Sequence, residues 1–234
     1  MMNLSATLTQ ILQLDQQTDP VQSTWYIIAA VILSTLNRPK DIQAVYRHVE
    51  SIIDDTESSD KEKEQQKVLV VMKLREALLK NFIAAGFPKS INALRELELA
   101  TPAVIKTKLP TSPLRNEETW NEVVEQRKRG RALFGKIYDR HTQRVLDQMS
   151  SSHPDLAQAA LYQLYGPILS NTAFISARET SLIMVASLTA LDLPAQLRGH
   201  SFGALHNGAS KEDLAMVEKS VKIFMQYHLN LSKL

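Results

Sequence analysis

Apolar residues recur at spacings of three and four along nearly the whole chain, and no stretch alternates β-branched with polar residues between turn dipeptides. A 3.6-residue period fits one face of a helix and a period of 2 one face of a strand, so the pattern specifies an all-α protein. Helices are expected around 21–36, 67–85, 178–191 and 195–205, with no sheet. At 234 residues and 44% hydrophobic content the chain can bury a core unaided, as one large unit or two small ones. That balance excludes intrinsic disorder and collagen-like repeats.

Punctuation divides the pattern. A first helix covers roughly Leu4 to Leu14, and Asp19-Pro20 is placed to open a second, with Asp19 as N-cap and Pro20 at the first helical position. Trp25 to Leu33 is the longest nearly unbroken apolar run, well short of the ~20 residues a bilayer demands, and it reads as a buried core helix. Polar Asp54 to Lys67 is expected as a loop and a solvated first turn, followed by a helix through Ala85 that Gly86-Phe87-Pro88 breaks. A shorter helix runs from Ser90 to about Leu99. Thr101 to Asn116, with Pro102, Pro110 and Pro113, reads as a linker between an N-terminal half (1–115) and a C-terminal half (116–229). Further helices are expected from Glu117, from His153-Pro154 and from Ser210, with His206-Asn207-Gly208 as a C-cap.

Several function classes drop out on composition. With 27 Lys+Arg against 25 Asp+Glu the net charge is +2, too small for the broad positive field of a nucleic-acid or membrane-surface binder. None of the seven glycines falls in GxGxxG or GxxxxGK[ST], so phosphate-cradling loops are missing. The absence of cysteine removes disulfides, thiolate nucleophiles and dithiol redox chemistry together. No basic residue precedes Arg38, so neither a secretory nor a mitochondrial leader is expected. The sequence closes on Ser232-Lys233-Leu234, the tripeptide read by the peroxisomal import receptor. The expectation is a matrix location and an exposed tail over 230–234.

Three polar features interrupt the apolar C-terminal unit: Arg178-Glu179, Arg198-Gly199-His200 and His206-Asn207-Gly208. The run from Arg178 to Leu214, with Gln196-Leu197, His200, Ala204-Leu205, Asn207-Gly208-Ala209-Ser210 and Glu212-Asp213, resembles the carboxymuconolactone decarboxylase-like family, whose relatives include the alkylhydroperoxidase D-type proteins. Gly130 to Gly135 and Tyr165-Gly166 add to the resemblance, which is to a peroxisomal, fungal-type member without the CxxC pair. It covers about Lys128 to Phe224 and implies an all-α fold that assembles into homo-oligomers.

The resemblance offers two chemistries. The thiol peroxidase branch is excluded because Leu193 and Gln196 stand where its cysteines would be. The decarboxylase branch needs no thiol and no cofactor, only donors for a developing enolate-like charge and a group that returns a proton to carbon. It implies a lyase acting on a small organic acid, with His200 as acid/base, Glu179 as its orienting partner within hydrogen-bond reach, and Arg198 for a substrate carboxylate. A core histidine bonded to a carbonyl and a glutamate that supports the helix N-terminus remain open beside these roles, as does a non-catalytic oligomeric scaffold or ligand-binding protein. Arg75-Glu76, Pro88 and Leu94 faintly echo Arg178-Glu179, Pro194 and His200, which leaves open either a diverged tandem repeat or coincidence.

Overall fold

The computed structural model describes residues 3–231. Twelve α-helices follow one another: α1 (Leu4–Leu12), α2 (Trp25–Thr35), α3 (Ile42–Asp54), α4 (Asp60–Ala85), α5 (Phe87–Ala100), α6 (Ala103–Lys106), α7 (Trp120–Tyr138), α8 (Thr142–Ser152), α9 (Leu156–Ala159), α10 (Ala177–Ala190), α11 (Pro194–His206) and α12 (Lys211–Leu231). A π-helical segment, Ala160–Leu169, continues α9. Among the described residues there is no strand, and no helix is long and apolar enough to cross a membrane.

Every residue of α2 is buried, which is why its pattern is apolar on all sides. The helix packs against α4, α10, α12 and α3, and the main core takes side chains from α1 through α5, α10 and α12. A second cluster forms where Phe134 and Ile137 of α7 meet Leu161, Tyr165 and Leu169 of the π-helical segment and Met184 of α10. Helices α4 with α5 and α10 with α11 form two hairpins, each with a proline at the start of the second helix.

Several boundaries differ from the sequence expectation. Helix α2 begins at Trp25, because residues 19–22 turn back on the Asp19 carboxylate while Asp15 accepts from the N–H groups of Thr24 and Trp25 at 2.7 and 2.9 Å. Helix α4 begins at Asp60, where Ser59 and Glu62 form a capping box, so the expected loop is confined to residues 55–59 and Asp60 to Lys67 is two turns of helix. Helix α8 fills a span that carried no expectation. His153-Pro154 is a turn, and Tyr165-Gly166-Pro167 lies inside the π-helical segment instead of ending a helix.

Polar groups fasten α4 to α10 inside this apolar bundle. Lys73 Nζ sits 2.7 Å from Glu179 Oε1, and eight residues further along both helices Asn81 meets Ser187, with Thr35 of α2 joining at 3.3 Å. The equal offsets show that α4 and α10 lie side by side and run in the same direction. Between these points Lys80 Nζ, fully buried, donates to Asn171 O at 2.6 Å and Thr180 Oγ1 at 2.7 Å. Burial pushes the Lys80 ammonium down to about 8 against the opposing pull of Glu76.

Truncating one member of a buried pair leaves an uncompensated charge. Lys73→Met should therefore lower the urea unfolding free energy by about 3–5 kcal/mol. The double variant Lys73→Met/Glu179→Gln keeps a capping residue at position 179 and should recover part of that loss. A double variant no more stable than Lys73→Met would show that the cost lies elsewhere.

Candidate functional site

The π-helical segment and α7 build the surroundings of His200 by close backbone approach. A Cβ on Gly130 of α7 would lie 2.6 Å from Gly166 Cα, so only glycine lets the two elements meet there. On α11 a Cβ on Gly199 would lie 2.9 Å from the Tyr138 ring. These two contacts bring Tyr138, at the end of α7, and Tyr165, on the π-helical segment, to His200. The wide turn accommodates Pro167, and Ser170 N–H donates to Tyr165 O at 2.9 Å in the i to i−5 pattern.

His200 is 6% exposed. Its Nε2 lies 3.5 Å from both the Tyr138 and the Tyr165 hydroxyls, the long end of hydrogen-bond range, and its buried Nδ1 has no partner among the described residues. Burial pushes the imidazole down to about 4 and holds both phenols above their ordinary range. At neutral pH the ring is therefore uncharged. A phenol that donates to Nε2 would place the ring proton on Nδ1.

Glu179 is elsewhere. Its Oε1 faces Lys73 and its Oε2 accepts from Ser176 N and Oγ, both at 2.8 Å, in a capping box that starts α10. Burial raises its carboxyl, but Lys73 and Ser176 together outweigh that and hold it below the ordinary range. The expected hydrogen bond between Glu179 and His200 is not made. Helices α10 and α11 do pair, but along a hairpin arm Glu179 stands about 16 Å from the turn and His200 about 9 Å, so they occupy different levels. Near that end of the hairpin, Asn207 Nδ2 donates to Ser181 Oγ at 3.1 Å.

Arg198 is exposed on α11, two residues and some 200° around the helix from His200. Arg178 binds Asp213 through Nε at 2.9 Å and through Nη2, so the arginine and the acidic pair of the sequence pattern meet to join α10 to α12. Ser232, Lys233 and Leu234 lie outside the described residues. Among the described residues no group of His, Asp and Glu could hold a metal ion.

Tyr138 and Lys73 escaped sequence reasoning. The small residue next to His200, Gly199, is the signal that an aromatic ring packs at that turn. No comparable signal marks Lys73, whose partner lies more than a hundred residues away.

Two curated proteins resemble the chain over most of its length. "Peroxisomal protein 2" of Schizosaccharomyces pombe is 36% identical across 81% of this chain and 79% of its own length. The chain belongs to the peroxisomal protein 2 family. "Peroxisomal protein 2" of Saccharomyces cerevisiae is 28% identical across 97% of this chain and 96% of its own length. This membership supports a peroxisomal location in general terms. No family model and no solved structure matches the chain.

The depressed His200 pKa carries a stability signature. The unfolded imidazole titrates near 6.5 and the folded one near 4, so as pH falls through that window the unfolded chain takes up the proton first. The stability contributed by keeping the ring neutral is complete above pH 6.5 and lost by pH 4, on the order of 3 kcal/mol. Urea midpoints at pH 7 and pH 4.5 should converge more closely in His200→Gln than in the natural protein.

Proposed function

We propose that the chain is a peroxisomal matrix protein built like the carboxymuconolactone decarboxylase-like proteins it resembles, and that His200 is its reacting group. The reaction is cofactor-independent decarboxylation or isomerisation of a small organic acid. The observation that carries this reading is the neutral, buried imidazole with two phenols at Nε2 and an Nδ1 that has no partner among the described residues. An unmet buried donor costs about 1–3 kcal/mol, and packing alone gives no reason to keep it.

In this reading the tyrosine hydroxyls fix the tautomer, Nδ1–H donates a hydrogen bond to the oxygen of the enolate that forms as the carbon–carboxylate bond breaks and carbon dioxide leaves, and solvent returns a proton to carbon. A neutral imidazole suits that role, as in enzymes where the ring polarises a carbonyl without carrying a charge. Glu179 then serves as a positioning residue that starts and anchors α10. Arg198 shares the outer face of α11 with Phe202, which is 59% exposed. That face suits self-association into a homo-oligomer, in which Arg198 would meet a substrate carboxylate.

Import is assigned to Ser232-Lys233-Leu234, read by the import receptor. Deleting Leu234 should leave a fluorescently tagged chain in the cytosol, and unchanged import would overturn the assignment.

Small β-keto acids and unsaturated lactone acids, incubated with the protein in deuterated water, provide the catalytic test. Proton NMR should show deuterium uptake or loss of carbon dioxide for at least one of them. His200→Gln should reduce that rate by about 100-fold or more while its melting temperature at pH 7 stays close to that of the natural protein. A rate unaffected by the substitution, or no reaction at all, favours the second reading, a non-catalytic scaffold or ligand-binding protein. That reading draws on Glu179 being committed to Lys73.

A further inference from the structure

A cavity of about 730 Å3 opens between α4, α5 and the segment 109–115, away from His200. Its size is that of small-molecule sites, which run from roughly 300 to 1,000 Å3. Leu79 of α4, Leu94 and Leu97 of α5, and Leu109, Leu114 and Phe174 give it apolar walls. Pro110 and Pro113 border it, and their fixed φ angles stiffen that side.

Five charged residues line the cavity: Arg75, Glu76, Glu98, Lys106 and Arg115. Four of them are already paired. Lys106 meets Glu98 at 2.6 Å. Arg115 is bound to Glu76, which Lys80 also approaches at 3.8 Å, and Arg115 Nε donates to Pro167 O at 2.6 Å. Arg75 is exposed at the cavity and, among the described residues, has neither an ion pair nor a hydrogen bond to another side chain. A guanidinium with no anion of its own beside a largely apolar cavity is matched by a ligand with one anionic head and an apolar body.

We infer that this cavity binds an elongated apolar monocarboxylate, its carboxylate on Arg75 and its alkyl chain along Leu79, Leu94 and Leu97. One negative charge balances Arg75 and asks nothing of the paired groups. A second carboxylate would find only Lys106 and Arg115, which Glu98 and Glu76 already hold. A cationic head would meet Arg75 without compensation. The site is independent of the chemistry proposed for His200, because no residue is shared.

Isothermal titration of the full chain with dodecanoate, kept below its micelle concentration, tests the assignment. Dodecan-1-ol and dodecyltrimethylammonium serve as head-group controls. Dodecanoate should bind at one site per chain, and dodecan-1-ol about tenfold more weakly. The trimethylammonium compound should show no saturable binding. Arg75→Gln, a change at an exposed position, should weaken dodecanoate by about tenfold and leave dodecan-1-ol unchanged. Leu114→Glu should weaken dodecanoate by placing a like charge in the wall, and His200→Gln should leave it unchanged. Absence of dodecanoate binding, equal binding of the trimethylammonium compound, or affinity insensitive to Arg75→Gln would each overturn the proposal.

Discussion

The contact between α4 and α10 is the constraint on which the rest of the bundle depends. Where they are buried, both helices present mostly apolar side chains, and an apolar surface alone would let one slide or rotate against the other. Lys73 with Glu179, Lys80 with Thr180 and Asn81 with Ser187 each fit at one register only. Removing buried charges from water is costly, so the seam is a poor source of net stability. What it supplies is a fixed axial position, from which α5 and α11 hang as hairpin partners. Everything that reaches His200 or the cavity beside Arg75 inherits that position.

Much of the fold was legible because helix punctuation is local. The start of α11 at the Pro194 turn and the Ser210 cap were readable from adjacent residues, whereas Gly86-Phe87-Pro88, expected as a break before a helix at Ser90, already opens α5. The misses share a different cause. Helix α2 starts where a carboxylate nine residues upstream caps it, and composition made Asp54 to Lys67 look like a loop and one solvated turn when the Ser59 and Glu62 box had already begun the helix at Asp60. The π-helical turn at Gly166-Pro167 contradicts the usual reading of that dipeptide as a stop. It persists because Gly130 admits the neighbouring backbone.

The candidate site was legible in part for a related reason. A sequence pattern identifies which residues recur together, but not why. Arg178, Glu179, Asn207 and Asp213 all belong to the pattern around His200, yet they hold α10, α11 and α12 to one another and to α4. Their spacing serves hairpin geometry. Spacing also misled about Glu179 and His200: a short turn guarantees that two helices pair, whereas the level at which side chains meet depends on distance from the turn along each arm.

The two Arg-Glu pairs show how one local arrangement yields different consequences. In both, the glutamate turns inward and meets a lysine of α4, Glu76 with Lys80 and Glu179 with Lys73, while the arginine turns outward, as adjacent helix positions about 100° apart require. The outward arginine of α10 is neutralised by Asp213 at the start of α12. Among the described residues no helix supplies an acid for Arg75; the chain instead brings the proline-bounded segment past it, whose own Arg115 is consumed by Glu76. The same packing that joins α10 to α12 in one hairpin therefore leaves an unpaired cation beside an apolar hollow in the other.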